Sequence, residues 1–137
     1  MSIGKLKIIQ KILVKATPIE VYNAFLDPNI HSDFTGSKAT GNSSEGSNFT
    51  AWYGYIKGKN LKLEKGKRIV QEWFTTEWPN NFSPSKLELT LRNLGDITEI
   101  TMLHSDIPSN LEADLRQGWI DYYWNPLKEF FKKRKKG

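Results

Sequence analysis

The sequence predicts one α+β domain: a strand, a helix pair, six or so antiparallel strands and a long C-terminal helix. Three observations carry this. Segments of period-two alternation follow one another at short turns between residues 48 and 104, the signature of an antiparallel meander. Thr17-Pro18-Ile19-Glu20 reads as a helix start, with threonine as N-cap, proline in the first turn and glutamate closing a capping box. From Leu111 to Phe130 apolar residues recur at spacings of three and four, as on one face of an amphipathic helix.

In chain order, residues 6–15 alternate Leu6, Ile8, Ile12 and Val14 against Lys7, Lys11 and Lys15, a half-buried strand. Val21 and Phe25 supply the apolar side of the first helix, which Asp27-Pro28 stops or bends; residues 29–34 form a second short helical turn. Residues 36–46 are rich in Ser, Gly and Asn and read as a loop or short edge strand. Strands are expected over 48–55, over 55–64 to a Lys65-Gly66 turn, and over 68–76, before an irregular Trp78-Pro79-Asn80-Asn81 segment. Leu87, Leu89 and Leu91 alternate with charged and polar residues over 86–94, Gly95-Asp96 turns the chain, and 97–104 runs back. Ser109 and Glu112 have capping-box spacing at the head of the last helix, and Asn125-Pro126 within it predicts a kink.

Composition narrows the chemistry. The 137 residues include no cysteine, which removes disulfides, thiol nucleophiles, thiolate zinc sites and iron–sulfur clusters together. No apolar run is long enough to span a bilayer, and the N-terminus has no signal-peptide core. No phosphate loop, dinucleotide fingerprint or paired metal-ligand motif is present, so no cofactor and no metal are expected. The net charge of +5 equals the five cations Lys132, Lys133, Arg134, Lys135 and Lys136, which leave 15 basic residues against 15 acidic ones. The chain thus divides into a neutral domain over 1–131 and a basic tail over 132–137, with no specific nucleic-acid partner expected. Within the domain, Lys57, Lys59, Lys62, Lys65, Lys67 and Arg68 form a basic stretch opposed only by Glu64, a candidate partner surface or a solvated hairpin. Residues 96–121 are acidic in the same way, with Arg116 their only cation.

Several specific residues extend the argument. Trp73-Phe74, then Glu77-Trp78-Pro79, then His104-Ser105-Asp106-Ile107-Pro108, then Gln117-Gly118-Trp119 with Tyr122-Tyr123, together resemble the C-terminal domain of activators of the heat-shock protein 90 ATPase. That domain is a branch of the START-like (SRPBCC) superfamily, and the likeness covers roughly residues 6–131. The resemblance implies a helix-grip fold, in which a curved antiparallel sheet wraps a long C-terminal helix. It also implies a cytoplasmic, non-enzymatic co-chaperone-like domain that binds heat-shock protein 90 and modulates its ATPase. Stand-alone members of the superfamily imply the alternative, a module that binds a small apolar ligand between sheet and helix. The eukaryotic co-chaperones carry a further N-terminal activating domain, for which 137 residues leave no room, so binding is expected of this chain before strong activation.

The aromatic residues Trp52, Tyr53, Tyr55, Trp73, Phe74, Trp78, Trp119, Tyr123 and Trp124 are expected on strands facing the long helix or on that helix. The candidate ligand cavity is drawn from Trp52, Tyr55, Trp73, Trp78, Met102, His104, Trp119 and Tyr123. Trp73 and Trp119, central in their elements, read as core before cavity lining; Trp52, Tyr55 and Trp78, nearer loops, read as cavity mouth or partner surface. His104 is a hydrogen-bonded histidine at a sheet edge, a polar group of the cavity, or a proton relay. An enzyme reading would pair His104 with Glu72 or Glu77 in a lyase, cyclase or hydrolase; no catalytic residue is assigned.

Overall fold

The computed structural model describes residues 3–134. Its elements run β1 (Lys5–Val14), α1 (Pro18–Leu26), α2 (Pro28–Thr35), β2 (Asn48–Ala51), β3 (Ile56–Glu64), β4 (Arg68–Thr75), β5 (Ser85–Asn93), β6 (Thr98–Pro108), α3 (Glu112–Trp119), a π-helical turn over Ile120–Trp124, and α4 (Asn125–Arg134). The six strands form one antiparallel sheet in the order β1-β6-β5-β4-β3-β2, so the first strand closes against the last and the helix pair covers the crossover to β2. The last helix lies across the curved sheet's inner face, as the helix-grip expectation requires.

Local chemistry accounts for the early elements. Thr17 accepts from the backbone N–H of Glu20 and donates its own N–H to the Glu20 carboxylate at 2.9 Å, the reciprocal capping box. Asp27 ends α1 and starts α2: its N–H reaches Asn23 O while its carboxylate accepts from the N–H groups of Asn29 and Ile30. Pro28, having no N–H to lose, occupies the first turn of α2.

Strict alternation places Thr98, Ile100, Met102 and His104 of β6 and Leu87, Leu89 and Leu91 of β5 inward. On β1 the inward set is Ile8, Ile12 and Val14 with Gln10, but Leu6 stays 47% exposed at the strand's start, beyond a bulge. There Leu6 pairs with Ile107 and Ile8 with His104, so β6 carries the extra residue, and Asp106 takes φ 60° to absorb it.

Three sequence expectations change. The strand expected over 48–55 ends at Ala51, because Trp52, Tyr53 and Gly54 turn with φ of 54°, 58° and 87°. Trp52, Tyr53 and Tyr55 therefore sit in a turn rather than on a strand. The strand expected to end at His104 continues to Pro108, drawn on by pairing with Lys5 and Leu6. Ser109 makes no capping hydrogen bond: its N–H is held by Gly4 O at 2.9 Å, a 3-10 turn covers Ser109–Leu111, and the α-helix begins at Glu112.

The kink expected at Asn125-Pro126 is resolved as the π-helical turn immediately before it. Widening the turn accommodates the proline ring, and Asn125 N–H bonds Ile120 O, five residues back. Upstream of that turn, Ile120 N–H reaches Gln117 O, and the Arg116 carbonyl is met by Gln10 Nε2 at 3.1 Å. Gln10 also accepts from Trp124 Nε1 at 2.6 Å, which explains a glutamine in the middle of an apolar strand face. The helix runs on through Arg134, whose guanidinium lies over Phe130, so Lys132, Lys133 and Arg134 are its last turn rather than a tail. Residues 135–137 of the expected tail lie outside the described residues.

Candidate functional site

An open pocket of about 560 Å³ lies between the last helix and the β2–β3 and β4–β5 ends of the sheet. Its inner wall is apolar and buried, formed by Ile56 and Trp73 from the sheet and by Trp119 and Tyr123 from the helix. Leu111, Leu115, Gly118 and Tyr122 continue the helical wall outward, while Trp52, Tyr55, Thr75 and Glu77 complete the sheet side and Asp114 stands on the helical rim. The volume lies in the range of small-molecule sites.

The Gly-Trp-x-x-Tyr-Tyr stretch builds much of this wall. Trp119 and Tyr123 point inward and their rings lie 4.7 Å apart, while Gly118 and Tyr122 face the pocket on the next face of the helix. A Cβ on Gly118 would meet only Tyr122, at 3.8 Å, so packing does not demand glycine there. Its missing side chain instead leaves room in the pocket. Across the mouth, the Trp52 ring stands edge-on to Tyr122 at 5.4 Å, held there by a backbone in the left-handed region that a bulky residue adopts only at a cost.

Beneath the pocket is a polar triad. Ser85 Oγ donates to Trp73 O at 2.6 Å, so its 2.7 Å contact with His104 Nε2 must take the proton from the imidazole. The Trp119 indole N–H donates to His104 Nδ1 at 3.1 Å, and both ring nitrogens are then used by a neutral imidazole. Burial drives the His104 pKa down to about 3, which agrees with that neutral form. Further along the helix, Tyr123 donates to His31 Nε2 at 3.0 Å while His31 Nδ1–H donates to Phe25 O at 3.1 Å. Burial lowers His31 and raises the Tyr123 phenol.

The rim is acidic. The Tyr55 hydroxyl donates to Glu77, and burial first, then that hydrogen bond, with the nearby Asp114 charge adding to it, push the phenol up. Among the described residues, no lysine, arginine or histidine lines the pocket. Neither Glu77 nor Asp114 has an ion-pair partner among the described residues.

Of the residues expected at a cavity, Trp52, Tyr55, Trp73, Trp119 and Tyr123 line this pocket. Trp78 does not: it packs behind Trp73 at 5.9 Å, donates to Ser83 O and lines a separate hollow with Lys57, Phe74 and Pro84. Phe74 is on the outer face, opposite Lys57. Met102 and His104 are fully buried in the core below the pocket floor. Of the carboxylates considered as partners of His104, Glu72 is exposed and pairs across the strands with Lys59 and Lys86, and Glu77 is on the rim. Sequence reasoning passed over Asp114, Gly118 and Tyr122 as a set, although their spacing of four puts them on one helical stripe.

The basic stretch divides. Lys57 and Lys59 project from the outer face of β3, and Lys65 and Lys67 sit at the β3–β4 turn. Arg68 is committed to Glu88 at 2.8 Å and Glu64 at 3.4 Å, and Lys62 lies 3.9 Å from Glu64. No helix among the described residues is long and apolar enough to cross a membrane.

Comparison with known proteins agrees with this architecture. The chain is 30% identical to the human Activator of 90 kDa heat shock protein ATPase homolog 1 across 96% of its own length, and spans 38% of that protein. It superposes with a TM-score of 0.85 on the crystal structure of an HSP90 activator from Plasmodium falciparum, at 19% identity, over 91% of this chain and 95% of that one. The solution structure of the Aha1 dimer from Colwellia psychrerythraea has a TM-score of 0.75 at 18% identity, covering 90% and 96%. A family profile described as Activator of Hsp90 ATPase homolog 1-like protein matches residues 15–132, and the chain belongs to that family.

Proposed function

We propose that this domain binds heat-shock protein 90 in the cytoplasm and modulates its ATPase without being an enzyme itself. The observation that carries this reading is the 30% identity to the human activator over 96% of the chain. Lys57, Lys59, Lys65 and Lys67, which form no ion pair among the described residues, support it as a surface for an acidic partner, with electrostatics serving mainly association rate and orientation. The polarity of the Ser85–His104 contact opposes the hydrolase alternative. His104 donates to the hydroxyl instead of accepting from it, and is walled off from the pocket. Isothermal titration against the purified chaperone at low salt tests the proposal. Heat of binding at tens of micromolar, weakened several-fold by Lys57→Glu with Lys59→Glu, is expected on the scale of exposed charge pairs; absence of heat overturns it.

The pocket favours a second reading, that the domain takes up a small apolar ligand. Its support is the 560 Å³ of space beside buried Trp73 and Trp119, where a filled core would leave none. Native mass spectrometry of protein purified under mild conditions reads this directly as an added mass.

A further inference from the structure

The pocket's walls and rim differ in kind. The inner wall holds aromatic faces and the rim holds carboxylates. Trp52, Trp119, Tyr122 and Tyr123 present π-systems whose negative faces attract cations as well as apolar groups. Glu77 projects from the β4–β5 connection and Asp114 from α3, so sheet and helix each contribute one negative charge to the same mouth. The Tyr55 hydroxyl locates them together: it is hydrogen-bonded to Glu77 and close enough to Asp114 to sense its charge.

Some carboxylates elsewhere on the molecule are ion-paired: Glu88 meets Arg68, Glu99 meets Arg92 and Glu112 meets Arg116. At the mouth the two carboxylates have no ion-paired cation among the described residues, although Arg116 is only two residues from Asp114 and turns to Glu112 instead. Water screens this charge while the pocket is open. A ligand that covers the mouth removes that screening, so its own charge at that point is weighed by Glu77 and Asp114 together.

We infer that the pocket is selective for hydrophobic cations, molecules with a flat apolar or aromatic body and an ammonium-type head, the body lying between Trp52, Trp73 and Trp119 and the head at Glu77 and Asp114. This rests on the second reading above, that the pocket binds a small ligand, and supplies the chemical class. An anionic amphiphile of the same shape is excluded by the same two carboxylates, and a neutral one is held by the walls alone.

The test is isothermal titration of the full chain with three isosteric probes, naphthylmethylammonium, naphthylmethanol and naphthoate. The ammonium is expected to bind about tenfold more tightly than the alcohol, the scale of one desolvated cation contact, and the carboxylate more weakly than either. Glu77→Gln with Asp114→Asn should bring ammonium and alcohol within about twofold of each other. Gly118→Leu, which fills the pocket from an unencumbered helix position, should abolish binding of all three. Equal affinity of ammonium and alcohol for the wild type overturns the charge selectivity and leaves the ligand-binding reading standing. Binding that Gly118→Leu does not reduce, or no binding of any probe, overturns both.

Discussion

The indole N–H of Trp119 donates to His104 Nδ1 at 3.1 Å, a hydrogen bond that ties the C-terminal helix to the sheet beneath the pocket. It permits only the neutral imidazole. A proton on Nδ1 would point at the indole N–H, in a place already stripped of water.

Acid should therefore loosen the protein through this residue. The folded pKa of His104 lies near 3 against 6.5 when unfolded. Above pH 6.5 neither state is protonated there and the contribution to stability is complete. Between 6.5 and 3 only the unfolded chain takes up the proton, so stability falls as pH falls, by up to about 1.4 kcal/mol per pH unit for one group. His31 is lowered in the same sense. Urea midpoints measured across the acid range should drop accordingly. His104→Leu should flatten part of that slope and cost about 2–4 kcal/mol at neutral pH, because Trp119 and Ser85 lose their partner. A wild-type and variant difference that does not change with pH would count against the assignment.

Gly118→Leu offers the opposite combination, lost pocket space without lost stability. Glycine within a helix costs about 1 kcal/mol relative to a good helix former, and a Cβ at this position meets only Tyr122 at 3.8 Å. The melting temperature should hold or rise while the pocket closes. A marked fall in thermal stability would show that the site is packed more tightly than the geometry indicates.

Gly58 behaves differently. It pairs with Trp73 in the sheet, and a Cβ there would run into the carbonyl oxygen of Glu72 and come within 2.5 Å of Phe49 Cζ. Backbone on one side and a ring on the other leave nowhere to move. Gly58→Ala should destabilise the domain by about 3 kcal/mol or more, through overpacking, read from chemical denaturation.

Tyr53 is 76% exposed and held at φ 58°, a conformation that asparagine tolerates better than tyrosine. Tyr53→Asn should stabilise the protein by up to about 1 kcal/mol. The neighbouring Trp52 has the same backbone strain, but its ring packs on Tyr122 and Tyr123. Trp52→Asn should relieve strain and still lose stability, so the two variants measured side by side separate backbone cost from ring contact.

Period and punctuation in the sequence were sufficient for the element order, the capping box at Thr17 and Glu20, and the inward face of β5. Met102 and His104 share the inward face of β6. Alternation could not say that this face is sealed at that point and open at Trp73 and Trp119. Whether a side chain meets a ring or a void depends on the separation of two elements far apart in the chain.

The sequence by itself determined the inward face of β5 and, past Leu6, of β1, because burial in a strand imposes a period of 2.0 on neighbouring residues. It also located the net charge in the chain's last residues and the more specific parts of the family resemblance in Trp78-Pro79 and the Gly-Trp-x-x-Tyr-Tyr stretch. Only the tertiary structure decided that Gly118 leaves open space, that Glu77 and Asp114 share one mouth, and that His104 is a donor to Ser85. Those facts arise from residues far apart in the chain, from Ser85 with His104, 19 positions apart, to Trp52 with Tyr122, 70 positions apart, and no local period records how such partners are oriented or what gap remains between them.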